Sequence, residues 1–589
     1  MGRTGKMIGS AVSIVLVVGV VIGVVAVVQR GNNKGGGGGG GGGETTASTK
    51  TATALCQPTT HKEACAASVQ SVANNPNASF QDYLSAALNA TMSELNKAIE
   101  TTKKVSVNKD DDPHNDQMGV DDCKEFLDDA VEQLQAAITS VGKSELHTIQ
   151  DRMQEFMSWL TGVYVYQTTC VDQLDKPEYK EPVRDGMVNA SQLTENAIYI
   201  FSEMQKITGS LNLNFTGLSA SAKSAAESVA QRRLLDAEEG GADGYPSWVS
   251  SSDRRLLAAT GGGGVQPNAV VALDGSGQFK SINAALASAS TAKKGAPAGG
   301  RFVIYVKAGI YQEQVLVKKQ PNVFIYGDGQ GKTIITGDLN VAIKKVKTSN
   351  SATIGVDSDG FMIKSCTIRN TAGPEGHQAV ALRIAGENAV VFDCAIEAFQ
   401  DTLYYHRGKQ FYKSCVISGT VDFIFGNGRA IIQDSMIIAR KPGPGQNNMI
   451  TADGGLTPNG QHGVVLQNCR IVAEKELMAA KTQFKTYLGR PWKPYALTIY
   501  MQNNIEDFIT PEGYSIFTNV GEGSQNQNTA VYGEYLNTGP GANTAGRNQS
   551  VFKKWHLLSP QEANGYTVGT FLQGAAWLGA TGVPYKVGM

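Results

Sequence analysis

Two aspartates stand where their carboxyl groups could act on one another. Asp422 lies in "SGTVDFIFGN", Ser418 to Asn427. The core of that stretch, Val421 to Phe425, predicts a buried strand with no turn residue inside it. An ionised carboxylate among Val, Phe and Ile is costly unless it is paired or hydrogen-bonded, and the apolar flanks argue against a turn. A repeat supplies the pairing. "MIKSCTIRN", "VVFDCAIEA", "QFYKSCVIS", "IIQDSMIIA" and "VLQNCRIVA" each carry apolar residues, a small polar or thiol residue, one residue, then Ile. The anchors are Cys366, Cys394, Cys415, Ser435 and Cys469, and the first three gaps are 28, 21 and 20 residues. Asp401 lies seven residues after Cys394, and Asp422 seven after Cys415. If these segments stack in register, the two aspartates occupy equivalent positions about 4.8 Å apart. Carboxylates that close do not both ionise readily, so one pKa rises. That arrangement suits a nucleophile beside a general acid.

Neighbouring residues extend this chemistry. Gln400 precedes Asp401, and Gln378 lies one repeat back in "GHQAVAL". Primary amides donate to a developing oxyanion without carrying charge. "YLGRPWKPY" supplies Arg490, whose planar fork can hold one carboxylate ionised. It also supplies Trp492, which with Tyr404 and Phe425 could floor a sugar site. His377 and His406 lie near these motifs and are read as structural. There is no HExxH and no ligand-like histidine cluster, so neither metal nor cofactor is expected.

These residues need a scaffold that stacks them. Self-similarity at 20–30 residues points to a solenoid. Strand-like repeats without intervening helices favour a right-handed parallel β-helix over a leucine-rich horseshoe.

Upstream the composition changes. From about Thr53 to Leu218 it is rich in Ala, Gln, Asp and Leu. "DDCKEFLDDAVEQLQAAI" sets Phe126, Leu127, Ala130, Val131, Leu134 and Ile138 at helical spacing. Further helical stretches surround 84–99, 146–160 and 193–207. Short connections between them imply an antiparallel four-helix bundle. Cys56, Cys65, Cys123 and Cys170 are candidate disulfide cysteines. Local pairing would join Cys56 to Cys65 and Cys123 to Cys170, although sequence leaves the connectivity open. Sequons at Asn77, Asn89, Asn189, Asn214 and Asn548 mark candidate glycosylation sites.

At the N-terminus, Met7 to Val28 is uncharged and long enough to cross a bilayer. No cleavage signal follows it, so a signal-anchor is expected. Nine glycines, Gly35 to Gly43, then form a tether. Between bundle and repeats, "RRLL" occurs twice: Arg232, Arg233, Leu234 and Leu235, then Arg254, Arg255, Leu256 and Leu257. Dibasic pairs in an exposed linker invite proteolysis. The charge changes sign there. Val265 to Met589 holds 30 Lys+Arg against 22 Asp+Glu, and the rest holds 22 against 31. The division is 1–34 cytoplasmic tip and signal-anchor, 35–52 tether, 53–218 bundle, 219–264 processing linker and 265–589 β-helix. A membrane-bound secretory precursor and a secreted mature form follow.

Two families are resembled. "LCQPTTHKEAC", "DDCKEFLDDAVEQLQAA" and "WLTGVYVYQTTCVDQL" resemble the plant invertase and pectin methylesterase inhibitors, implying an inhibitor-like pro-region. "VALDGSGQFKSINAAL", "GHQAVALR", "FQDTLYYH", "GTVDFIFGN", "YLGRPWKPY", "YGEYLNTGPGA" and "WLGATGVPY" resemble the plant pectin methylesterases in family order. That resemblance implies a β-helix that hydrolyses methyl esters of homogalacturonan in the cell wall. Asp422 matches the nucleophile, Asp401 the proton donor and Gln400 the transition-state stabiliser. Gln378, Arg490, Trp492 and Thr348 match substrate-binding positions.

There are departures from the pattern. Ser435 stands where the family usually has a cysteine bridged to the one matching Cys415. "SATI" replaces "SATF", Phe399 replaces a tyrosine, and Tyr514 and Phe517 lie where tryptophans are usual. The implied partners are pectin, a processing protease, the inhibitor-like domain acting intramolecularly or in trans, and a membrane through the anchor; no nucleic acid is implied. The rival readings are another pectin-active β-helix enzyme, a lyase or polygalacturonase, and an inert inhibitor or wall-binding protein.

Overall fold

A computed structural model describes residues 47–107, 113–211, 266–292, 300–518 and 525–589. The apolar run Met7–Val28, the glycine tract, Asn214 and both RRLL sequences lie outside the described residues. No helix among the described residues is long and apolar enough to cross a membrane.

The N-terminal region is helical. Its helices are α1 (Ala47–Cys56), α2 (Lys62–Ala73), α3 (Phe80–Lys103), α4 (Pro113–Lys143), α5 (Leu146–Asp151), α6 (Met153–Asp172), α7 (Pro177–Ser202) and α8 (Met204–Ser210). Among the described residues, helical structure is present from Ala47, six residues ahead of the expected bundle start. Two expected helices are broken, at Arg152 and Glu203. A capping box starts α3: Ser79 Oγ accepts from the Asp82 N–H, and Asp82 returns the bond to the Ser79 N–H. On α4 the buried residues Val120, Cys123, Phe126, Leu127, Ala130 and Leu134 recur at helical spacing. Val131 and Ile138 only flank that core. The four long helices, α3, α4, α6 and α7, pack against one another. Disulfides join Cys56 to Cys65 and Cys123 to Cys170, the local pairing.

The C-terminal part is wound from three parallel sheets of eleven, seven and eight strands. Successive strands of one sheet are separated by strands of the others, so the chain coils around a shared apolar interior. The site lies on the seven-stranded sheet. Its strands are β1 (Val315–Lys318), β2 (Ile354–Asp357), β3 (Leu382–Ala385), β4 (Leu403–Arg407), β5 (Ile424–Gly426), β6 (Asn448–Asp453) and β7 (Thr486–Gly489), neighbours in chain order.

The anchors predicted from the repeat form an interior column. Each follows a residue with left-handed backbone: Ser365, Asp393, Ser414, Asp434 and Asn468 have φ between 50° and 55°. That column continues through Asn503 and Asn537, which the repeat pattern missed because asparagine replaces the thiol. The Asn503 carboxamide oxygen accepts from the Cys469 N–H at 2.8 Å, and Asn537 does the same for Asn503 at 3.0 Å. Ser435 belongs to this ladder, accepting from the Cys415 N–H at 3.0 Å. Cys366, Cys394, Cys415 and Cys469 are free and buried.

Candidate active site

The strand predicted over Val421–Phe425 begins only at Ile424. Asp422 lies in the tight turn before β5, with φ 49°, and Asp401 lies in the equivalent turn before β4, with φ 63°. Aspartate is one of the few residues that adopts this left-handed conformation readily, because its short polar side chain bonds locally. The apolar flanks therefore did not exclude a turn. They belong to residues that re-enter the core on either side of it.

Register supplies the pairing inferred from the repeat. Leu403 pairs with Ile424 and Tyr404 with Phe425, which places Asp401 beside Asp422. The Asp401 N–H donates to the Val421 carbonyl at 3.0 Å. One coil back, the backbone of Gln378 pairs in parallel with that of Gln400, which sets the two glutamines on neighbouring coils, Gln400 directly before Asp401.

Arg490 grips Asp422 with both arms of its guanidinium. Nε donates to Oδ1 at 2.8 Å and the terminal nitrogen to Oδ2 at 2.6 Å. Gly489 makes that approach possible, since a Cβ there would sit 2.2 Å from Thr451 Oγ1. The Phe517 ring lies under the guanidinium, 4.6 Å from its carbon. Sequence reading marked Phe517 as a departure but gave it no role. Burial works against the Arg490 charge, yet the charge and hydrogen bonds of Asp422 outweigh it and raise the Arg490 pKa. Asp401 has no such partner. Burial, and then the neighbouring Asp422 charge, push its pKa well above the usual carboxylate range. One carboxylate is thus held by a cation, and its neighbour's pKa is pushed upward.

Beside the pair, Tyr404 and Phe425 stack at 4.3 Å, and Trp492 meets Phe425 edge-on at 5.9 Å. Ala352, Val380 and Ala452 complete this outward-facing apolar patch. Gly454 lets the indole close over it, because a Cβ there would lie 2.8 Å from the ring. Thr348 opens the 3₁₀ turn Thr348–Ser351 that leads into Ala352. Asn77, Asn89 and Asn189 are exposed on the helical region, and Asn548 is half-buried on the β-helix.

The helical region packs onto this same sheet. Thr169 Oγ1 meets His406 Nε2 at 2.9 Å, and Arg407 Nε donates to the Tyr166 hydroxyl at 3.1 Å. Phe126 meets the His406 ring edge-on at 5.7 Å. The Asn350 amide donates to both Asp122 oxygens, at 3.0 and 2.8 Å. Lys347 pairs with Asp175 at 2.6 Å, and Lys493 with Asp172 at 2.9 Å. Two glycines permit the close fit. A Cβ on Gly162 would lie 3.0 Å from the Arg407 side chain, and one on Gly119 2.9 Å from that of Lys347. The bundle residues in these contacts were invisible to sequence reading, because nothing local reveals which helix face meets another domain.

Adjacent aspartates, one clamped by arginine, beside two glutamines on neighbouring coils and an aromatic cluster, form an arrangement that suits ester hydrolysis. Comparison with known proteins agrees. Residues 268–575 match the pectinesterase family model, and residues 50–200 match that of the plant invertase/pectin methylesterase inhibitors. The chain is 38% identical to pectinesterase 4 of Arabidopsis thaliana, over 99% of this chain and 100% of that protein. It is also 38% identical to a probable pectinesterase/pectinesterase inhibitor of Brassica napus, with the same coverage. A solved pectin methylesterase from carrot superposes with a TM-score of 0.52 at 44% identity, over 56% of this chain and 100% of that one. The chain belongs to the pectinesterase family, and it is a carboxylic ester hydrolase of the pectin methylesterase type.

Proposed function

We propose that Asp422 and Asp401 together remove methyl groups from homogalacturonan. The Asp422 carboxylate attacks the C6 carbonyl of a methyl-esterified galacturonate. Gln378 and Gln400 donate to the oxyanion that forms. Collapse expels the methoxy group, which takes the Asp401 proton and leaves as methanol. The Asp401 carboxylate then accepts a proton from water as that water attacks the acyl-enzyme. Collapse of the second intermediate frees Asp422 and a galacturonic carboxyl group, and Asp401 is again protonated. Thr348, Arg490 and Trp492 are assigned to substrate binding, with Arg490 also orienting Asp422 through both of its oxygens. The observation that carries this reading is the asymmetry of the two aspartates, one gripped by both arms of Arg490 and one buried without such a grip, its pKa raised. A lyase or a polygalacturonase would need a different set of groups, and an inert β-helix would not need this one.

The docked bundle shuts this site in the precursor, as its contacts with Asn350, His406 and Arg407 support. Cleavage at one or both RRLL sequences in the 219–264 linker would release a basic esterase from an acidic, glycosylated and membrane-anchored pro-region. A right-handed winding of the coil and a wall destination for the mature part complete the proposal.

The test is methanol release from highly esterified pectin. Asp422→Ala should abolish it while pectin binding is largely kept. Asp401→Asn should lower turnover by roughly 10²–10⁴-fold, the range for a lost general acid–base. Near-normal turnover in either variant would overturn the assignment. The uncut chain should be much slower than the chain cut in the linker.

A further inference from the structure

Two lysines of the esterase part remain outside the chemistry above. Lys347 immediately precedes Thr348, and Lys493 immediately follows Trp492. Lys347 precedes the 3₁₀ turn that leads into Ala352 of the apolar patch, and the Lys493 ammonium lies 5.3 Å from the indole of Trp492, which packs against that patch. Their side chains are only 6% and 12% exposed in the docked chain. Buried ammonium groups demand a counter-charge, and each holds one carboxylate of the bundle, Asp175 and Asp172 respectively.

Those two aspartates lie three residues apart, in the segment that leaves α6. Their Cα atoms are therefore at most about 11 Å apart. Thr169 and Gln173 of the same segment reach His406 and Ser349. A short chain with carboxylates at fixed spacing is thus laid across the floor that the substrate would use. Lys318 and Lys319 also pair with bundle carboxylates, but they stay 42% and 63% exposed, where such pairs contribute little.

We infer that Lys347 and Lys493 are subsites for free galacturonate carboxylates, which the bundle fills in the precursor with Asp175 and Asp172. This rests on the proposed occlusion of the site by the bundle. Every turnover turns a neutral ester into a carboxylate, so product stretches of the polymer gain the charge these lysines accept. A run of de-esterified galacturonan then competes with the bundle for the same two cations, and methylated pectin competes less well.

The experiment uses the full chain with a protease site placed in the 219–264 linker and a fluorophore on the bundle. After cutting, bundle release is followed by anisotropy against a galacturonate decamer, its fully methyl-esterified form, and NaCl at matched ionic strength. The free-acid decamer should release the bundle at about tenfold lower concentration than the ester, the difference expected of a charge-assisted contact. In Lys347→Gln/Lys493→Gln the two decamers should act within about twofold of each other. The Lys→Arg pair should keep the preference and serves as the folding control. Equal potency of acid and ester on the unmodified chain, release by salt alone, or a preference that survives the glutamine substitutions would each overturn the subsites. If the pieces part on cutting without any ligand, the intact linker is what keeps the bundle docked, and the occlusion is judged by the turnover of the uncut chain, which must be slower than that of the cut one. Direct binding of both decamers to the separated esterase piece then decides the subsites by the same criteria.

Discussion

Arg490 meets Asp422 edge to edge, while Asp401, gripped by no such fork, has its pKa raised by burial and then by the charge of Asp422. The Arg490 contact is planar and two-pronged, which an ammonium cannot reproduce. Arg490→Lys should therefore cost about 10- to 100-fold in turnover, the equivalent of one charged hydrogen bond. Steady-state methanol release checks this, and a variant as fast as the parent would show that Arg490 does not hold the nucleophile. The raised pKa of Asp401 also sets a pH limit. The acid form is the one that donates, so turnover should hold while Asp401 keeps its proton and fall as pH rises through its elevated pKa.

The coil itself is held without disulfides among its described residues. Ser435 occupies the position where the family usually places a bridging cysteine, and its hydroxyl joins the backbone ladder instead. Cys415 and Cys469 are left buried, and burial pushes both thiols up to about 12. They should ignore a thiol reagent in the native protein. Denatured without reduction, the chain should yield four reactive thiols, Cys366, Cys394, Cys415 and Cys469, while the two bundle disulfides stay closed. Fewer than four would mean that a stacked pair has bridged. The β6–β7 approach is equally demanding. Gly489→Ala forces a methyl group into Thr451, so it should lower the melting temperature and displace Arg490, reducing activity along with stability.

Docking of the bundle has its own pH dependence. Asp122 and Asp129 face the β-helix from α4. Burial raises both to about 6, helped for Asp129 by the charge of Asp357 and opposed by Lys319. Their ordinary value is 3.8. A group whose pKa is higher docked than free favours docking at low pH and loses that contribution as pH rises through 6. His406 opposes this, since burial first and then Arg383 hold it well below 6.5, so docking must keep it neutral. With two carboxyl groups against one imidazole, docking should weaken from pH 5 to pH 7. Asp129→Asn removes one of the two ionisations, so docking of this variant should weaken about tenfold less between pH 5 and pH 7 than docking of the parent. The dissociation constant of the linker-cut pieces at both pH values tests this.

Much of this site was legible in the linear chain, because a solenoid writes its third dimension into its period. Stacked coils put residues one repeat apart side by side, so the equal offsets of Asp401 and Asp422 from Cys394 and Cys415 already implied adjacency. Helical spacing in 121–138 was readable, and local pairing of the bundle cysteines was the natural candidate, for the same reason: they depend on neighbours close in sequence. The turn at Asp422 was not readable. Its left-handed backbone is a response to the coil having to bend there, and the flanking apolar residues mimic a strand. Least legible was the joining of the two parts. That Phe126, Tyr166, Thr169 and Asp172 meet His406, Arg407 and Lys493 depends on two surfaces assembled from segments more than 200 residues apart. Composition and periodicity specify which face of each helix is apolar. Only the packed tertiary structure decides which remaining polar face, with Gly119 and Gly162 clearing the way, fits over the sheet that carries the aspartates.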